Sequence, residues 1–176
     1  MPVTLPDAVI RPASPADLKD VAEIYTHYVL ETVITFDQTP PGHTDWRRRL
    51  DELAGRGLPF LVAELNGDVA GYAYAGPWRP KPAYRHTVED SIYLAPGMTG
   101  RGLGGALLGA LLPRCAEAGM RQVIAVIADG GSPASTALHE RFGFAHAGRL
   151  AGVGYKQGRW VDTVLMQRAL TTGQDG

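Results

Sequence analysis

Cysteine is nearly missing from the 176 residues: Cys115 is the only one, so no disulfide framework can staple this chain. Long apolar runs are missing too. No stretch reaches the roughly 18 residues that a bilayer-spanning helix needs. The opening residues, MPVTLPDAVIRP, lack the basic and apolar regions of a secretion signal. The expected compartment is therefore the cytoplasm. An excess of one charge is also absent. Seventeen Lys and Arg stand against eighteen Asp and Glu, for a net charge of -1 and a pI near 6.5. Such a chain has no long-range attraction to nucleic acid or to an anionic membrane. A phosphate-bearing ligand would have to be held locally, by backbone amides and a few cations. His27, His43, His86 and His146 are not spaced as a metal site, and no H-E-x-x-H occurs, so no metal is expected.

What is present is the composition of a globular domain, 45% hydrophobic and 20% charged. The length suits one domain over residues 1–176, with a core over about 8–170 and a disordered tail at 171–176. Ala8 to Arg11 reads as a strand. Ser14-Pro15-Ala16-Asp17 opens a helix, with Ser as cap and Pro in first position, and Leu18, Val21, Ala22, Tyr25 and Val29 form its apolar face. Val33 to Phe36 is short and β-branched. Thr44 caps a second helix carrying Trp46, Leu50 and Leu53, and the Arg47-Arg48-Arg49 run reads as its solvated face. Pro59 to Leu65 and Val69 to Ala75 pair across the turn Asn66-Gly67-Asp68. A rigid Pro-rich loop, residues 76–86, carries aromatics and cations. Phe144 to Leu150 and Val161 to Arg168 read as a final antiparallel pair, joined by the GYKQGRW segment.

The rest is organised around Thr87 to Ala106. An apolar strand breaks at Pro96-Gly97, glycines follow at 100, 102, 104 and 105, and a helix runs from Ala106 to Ala118. The strand Gln122 to Ala128 comes next, completing one parallel βαβ unit. A glycine-rich loop feeding a helix offers free backbone N–H groups and the positive end of the helix dipole, which suits a phosphate. Two ligands fit that description. Gly100, Gly102 and Gly105 match G-x-G-x-x-G, with Asp129 placed as a ribose-binding acid would be in a dinucleotide fold. However, the loop begins some residues beyond the strand, and the first half of the chain offers helices and a hairpin in place of further βαβ units. The other ligand is an acyl-CoA.

The run Thr99-Gly100-Arg101-Gly102-Leu103-Gly104 resembles the x-x-G-x-G loop of the Gcn5-related N-acetyltransferases (GNAT). The order of elements from about residue 8 to 170 is similar to that superfamily as well. A narrower set of motifs resembles the phosphinothricin and methionine sulfoximine acetyltransferases. They are Gly71-Tyr72-Ala73, Trp78-Arg79, Ala83-Tyr84-Arg85, Thr87-Val88-Glu89, Leu138-His139-Glu140, Gly143-Phe144, Gly154-Tyr155-Lys156 and Gly158-Arg159-Trp160-Val161-Asp162. Two positions depart from the pattern. Thr99 stands where the loop usually opens with Gln or Arg, and Ser132 stands where the later helix usually opens with Asn.

The resemblance implies an α/β (α+β) fold: one central mixed, mostly antiparallel sheet of about seven strands flanked by helices, with a splayed parallel pair for acetyl-CoA. It implies cofactor contacts at Ile92, Tyr93 and Leu94, at Thr99, Gly100, Arg101, Gly102, Leu103 and Gly104, and at Ser132 and Ser135. The acceptor would be a small anionic amino-acid-like amine, and the assembly a homodimer. Phe36, Trp78, Arg79, Pro80, Tyr84, Arg85, Thr87 and Val88 would meet the acceptor, because a cationic, aromatic lining clamps acidic groups. An amine attacks a thioester only as the free base, so a proton acceptor is needed near neutral pH. Glu89 is the candidate base, acting through a water, with Asp90 the weaker one. His139 is either the acid that protonates the departing thiolate or a residue that packs or bonds the pantetheine. An N–H freed by strand distortion within 92–94 would stabilise the oxyanion. Cys115, inside the apolar run after the loop, reads as packing. Acetylation of a peptide N-terminus or a polyamine, and a silent acyl-CoA-binding module, are the competing readings.

Overall fold

The computed structural model describes residues 8–171. Most of the tail expected to be disordered lies outside those residues. Its elements are β1 (Ala8–Pro12), α1 (Leu18–Glu31), α2 (His43–Gly55), β2 (Phe60–Leu65), β3 (Asp68–Pro77), β4 (Thr87–Leu94), α3 (Leu103–Glu117), β5 (Gln122–Ala128), α4 (Ala134–Arg141), β6 (Ala145–Lys156) and β7 (Arg159–Ala169). They form one seven-stranded sheet in the order β1-β2-β3-β4-β5-β7-β6. Every neighbouring pair is antiparallel except β4 and β5. The expected fold class is observed. With a single parallel pair among the described residues there is no doubly wound sheet, which removes the dinucleotide reading. Asp129 is instead tied to Arg149 and to the Gly131 N–H.

The helix starts differ from expectation in how they are capped. A short 3-10 turn, Pro15–Asp17, precedes α1, and the Asp17 carboxylate accepts the Ser14 N–H at 2.7 Å while gripping Arg11 at 2.7 and 2.8 Å. That grip holds the Asp17 carboxyl down at about 2. Helix α2 begins at His43, one residue before Thr44, because Asp45 accepts the N–H of Gly42 at 2.9 Å. Arg49 is only partly exposed. Its guanidinium lies 5.2 Å from the ring centres of Trp46 and of Tyr74, and it donates to the Tyr74 hydroxyl at 2.7 Å.

Helix α3 starts at Leu103, so Gly104 and Gly105 belong to its first turn rather than to the loop. With Gly109 they make a flat strip against α4. A Cβ at Gly104 would lie 3.3 Å from Leu138, and one at Gly109 would lie 3.3 Å from Phe142. The segment GYKQGRW is not a linker: β6 runs on through Lys156 and turns at Gln157-Gly158, both at positive φ, straight into β7. A register shift between Leu150 and Gly154 bends the outer end of this hairpin.

Candidate active site

Strand β4 keeps unbroken register with β3 from Pro77↔Val88 to Gly71↔Leu94. Its ladder to β5 has only Thr87↔Gln122, Val88↔Val123 and Glu89↔Ile124. Beyond Glu89 the two parallel strands part, and β5 stays with β7 to Ala128↔Thr163. The phase of the β3 ladder is set by the Ala95 N–H, which reaches the Ala70 carbonyl at 2.8 Å. Strand alternation then turns the N–H groups of Ile92 and Leu94 toward the edge that β5 has left. The free donors expected at 92–94 therefore arise from the splay, not from a distortion of β4.

At the open end sits the glycine loop. Gly97, Gly100 and Gly102 have φ of 82°, 76° and 81°, a conformation that side chains resist. The first intrahelical bond of α3 is Ala106 N–H to the Gly102 carbonyl, at 3.0 Å. The N–H groups of Leu103, Gly104 and Gly105 precede that bond and carry the positive end of the helix dipole. Thr99 and Arg101 are exposed on the loop, while the Leu103 side chain is in the core. Ser132 lies one residue before the α4 cap and takes the Ala134 N–H at 3.3 Å, rather than capping the helix itself. The exposed side chain of Ser135 is one turn on. These groups suit the phosphates of CoA: backbone donors at glycines with positive φ, a helix start, and an open strand edge leading to them.

Glu89 is the last residue of β4 to be paired with β5, so it marks the apex of the splay. Burial, and then the charge of Asp90, push its carboxyl up to about 6. Asp90 points to the opposite face. Its Oδ2 is 2.7 Å from His139 Nε2, while His139 Nδ1 is 2.7 Å from the Ser135 carbonyl oxygen. The two side chains are 1% and 5% exposed. Burial works against a charged ring, but the hydrogen bond and charge of Asp90, with the Ser135 carbonyl, outweigh it and raise the His139 pKa. Phe144 packs edge-on against the imidazole at 4.8 Å. The remaining oxygen, Asp90 Oδ1, is buried without a hydrogen-bond partner among the described residues. Cys115 is fully buried, and its thiol is pushed up to about 12 by burial and by Asp90, so it packs and does not react.

The expected acceptor residues fall in two places. Trp78, Arg79, Pro80, Tyr84 and Arg85 share the loop between β3 and β4, which leads straight to Thr87 and Glu89. Arg79 stacks on Trp78 at 5.1 Å, and Arg85 donates to the Pro82 carbonyl at 3.2 Å. Val88 is 1% exposed, so its side chain is part of the core. Phe36 is far away in sequence, in an irregular segment after α1, and is 40% exposed. Sequence reasoning missed the groups that hold this segment: Tyr25, Thr35, Asp37 and Lys156. The motif Gly154-Tyr155-Lys156 was the signal, but nothing in it gave a partner.

A parallel pair that splays, a glycine loop at its mouth and a carboxylate at its apex are the features that a CoA-dependent acyltransferase requires. Known proteins agree. The acetyltransferase (GNAT) domain family matches residues 10–165. A phosphinothricin N-acetyltransferase from Alcaligenes faecalis is 46% identical over 164 residues, spanning 93% of this chain and 83% of its own. An L-methionine sulfoximine/L-methionine sulfone acetyltransferase from Pseudomonas paraeruginosa is 40% identical over 161 residues, spanning 91% and 93%. The crystal structure of a GNAT superfamily phosphinothricin acetyltransferase from Sinorhizobium meliloti, in complex with acetyl-CoA, matches with a TM-score of 0.89 at 46% identity. It covers 96% of this chain and 91% of that one. The chain belongs to the GNAT acetyltransferase family and is an acetyl-CoA-dependent N-acetyltransferase.

Proposed function

We propose that the enzyme acetylates the amino group of a small anionic amino-acid-like compound such as phosphinothricin, methionine sulfoximine or methionine sulfone. The observation that carries this is Glu89: a half-buried carboxylate at the splay apex, with its pKa raised to about 6, beside a loop bearing Arg79 and Arg85. Acetyl-CoA supplies a thioester carbonyl, held by the loop 99–104 and the free edge of β4. Glu89 takes a proton from the acceptor's ammonium through a water, leaving the amine lone pair free for direct attack in a ternary complex. The N–H groups of Ile92 and Leu94 meet negative charge growing on the carbonyl oxygen. Arg79 and Arg85 hold the acceptor's acidic groups, with Tyr84 and Trp78 beside them and Phe36 as an apolar wall. Of the two roles open to His139, support lies with the structural one, since both ring nitrogens are engaged.

The same reading makes the enzyme a cytoplasmic homodimer. Strand β6 is the sheet's edge, and its hairpin exposes Leu150, Val153, Tyr155 and Trp160. A second copy would cover them. Among the described residues no helix is long and apolar enough to cross a membrane.

The test is CoA-thiol release with a panel of phosphinothricin, methionine sulfoximine, methionine sulfone, ordinary amino acids, spermidine and a short peptide. Saturable release with the first three supports the proposal. Release with only spermidine or peptide would overturn the acceptor assignment and keep the CoA site. CoA binding without release to any acceptor would point to a silent binding module.

A further inference from the structure

The segment carrying Phe36 bridges the Glu89 face of the splay. On the β4 side, Tyr93 meets Tyr25 edge-on at 5.2 Å. The Tyr25 hydroxyl bonds Thr35 Oγ1 at 2.7 Å and donates to the Asp37 carboxylate. On the β5 side, a Cβ on Gly130 would lie 3.5 Å from Val33 and 3.7 Å from Ile34. The segment thus reaches from Tyr93 of β4, through Tyr25, to the loop that follows β5, with the half-exposed Phe36 ring between its anchors.

What fixes its height is the β6–β7 hairpin. Lys156 is 5% exposed, and its Nζ donates to the Thr35 carbonyl at 2.7 Å. The Phe36 ring lies directly on the backbone of Gly154: a Cβ there would come within 2.3 Å of it. Gln38 Nε2 reaches the Tyr155 carbonyl at 3.4 Å, and Gln157 Nε2 reaches the Leu30 carbonyl at 3.4 Å. The buried ammonium bonds one backbone carbonyl and faces the charge of Asp37, and burial still lowers the Lys156 pKa. Gly154 is not at positive φ, so its lack of a side chain serves the close approach of the ring.

We propose that the β6–β7 hairpin, through Gly154 and Lys156, sets the acceptor selectivity of this enzyme by fixing how far Phe36 reaches over the splay. The proposal rests on the reading that acceptors enter on the Glu89 face. Neither hairpin residue touches the reacting atoms; both are positioning residues. Seated as it is, the ring favours compact acceptors such as methionine sulfone over bulky ones such as phenylalanine.

The experiment is a double-mutant cycle of Gly154→Ala and Phe36→Ala, with Lys156→Met in parallel. Steady-state constants are measured for methionine sulfone, phenylalanine and acetyl-CoA, and Tm for each variant. Gly154→Ala should change the kcat/KM ratio of the two acceptors by roughly tenfold, yet by under about twofold in the Phe36→Ala background, because the added methyl acts only through the ring. Lys156→Met should shift the same ratio toward phenylalanine, and the KM for acetyl-CoA should stay within about twofold throughout. The proposal is overturned by an unmoved ratio, by an equal shift in both backgrounds, or by an acetyl-CoA KM that rises in step. If Gly154→Ala does not fold, Lys156→Met in the same two backgrounds decides alone. Wild-type enzyme that acetylates only spermidine or peptide would defeat the acceptor reading instead, and the cycle is then run with those amines.

Discussion

Replacing Glu89 with Gln removes the carboxylate and keeps the shape, so its consequences can be worked through. In the native enzyme, kcat/KM for the acceptor should fall below a limb near pH 6, where the Glu89 carboxyl takes up its proton. At pH 7 about nine-tenths of the molecules carry the base, and at pH 5 about one-tenth. The variant should lose that limb and about 10²-fold or more in rate at pH 7. The deficit should shrink toward pH 9, because an α-amine with a pKa near 8 then supplies its own free base. Stability should move the other way. The folded-state pKa lies above the ordinary 4.5, so the folded protein binds more protons, and ionising Glu89 costs stability as pH rises through 4.5 to about 6. The shift corresponds to about 2 kcal/mol at full weight and about 1 kcal/mol once discounted for partial exposure. At pH 7.5 the variant should therefore melt roughly 2–4 °C higher while turning over more slowly. CoA-thiol release across pH 5–9.5, with thermal melts, measures both. A loss under about threefold at pH 7, or a deficit equal at all pH values, would refute Glu89 as the base.

Three other substitutions separate the remaining parts. Gly102→Ala puts a side chain at φ 81°, where its Cβ meets no protein atom within 4 Å; acetyl-CoA KM should rise by about tenfold with acceptor KM unchanged. Equal changes in both constants would argue against a phosphate role for the loop. Asp90→Asn removes the partner of a buried imidazole and should cost about 3 kcal/mol. Because the His139 pKa is raised, that loss is full below its ordinary 6.5 and fades as pH rises through the folded-state value, so melts at pH 6 and pH 9 should differ in that order. Trp160→Glu charges a side chain that is 71% exposed; light scattering should find a dimer become a monomer, and a native enzyme already monomeric would defeat the dimer reading.

Much of this molecule was legible because its signals are local. The β-branched run of residues 122–128, the Asn66-Gly67 turn and the glycines at 100 and 102 each act within a few residues, and the structure has them where the pattern put them. The helix caps were harder, since Asp17 and Asp45 each accept the N–H of the residue three before them, and spacing alone does not tell that arrangement from a hydroxyl cap. Gly104 looked like loop because a glycine needed for bending and one needed for helix packing are identical in sequence. Only the nearness of Leu138 separates them.

The chain by itself determined the element order, the single parallel unit and the glycine loop that feeds a helix, because those follow from residue type and spacing. Tertiary structure alone decided that Asp90 meets His139 across 49 positions, that Arg49 lies between Trp46 and Tyr74, and that Lys156 reaches Thr35 across 121. Each of these places a charge in a buried or half-buried setting. What a buried charge meets is set by how the sheet and helices pack, and no periodicity along the chain encodes a partner so far away.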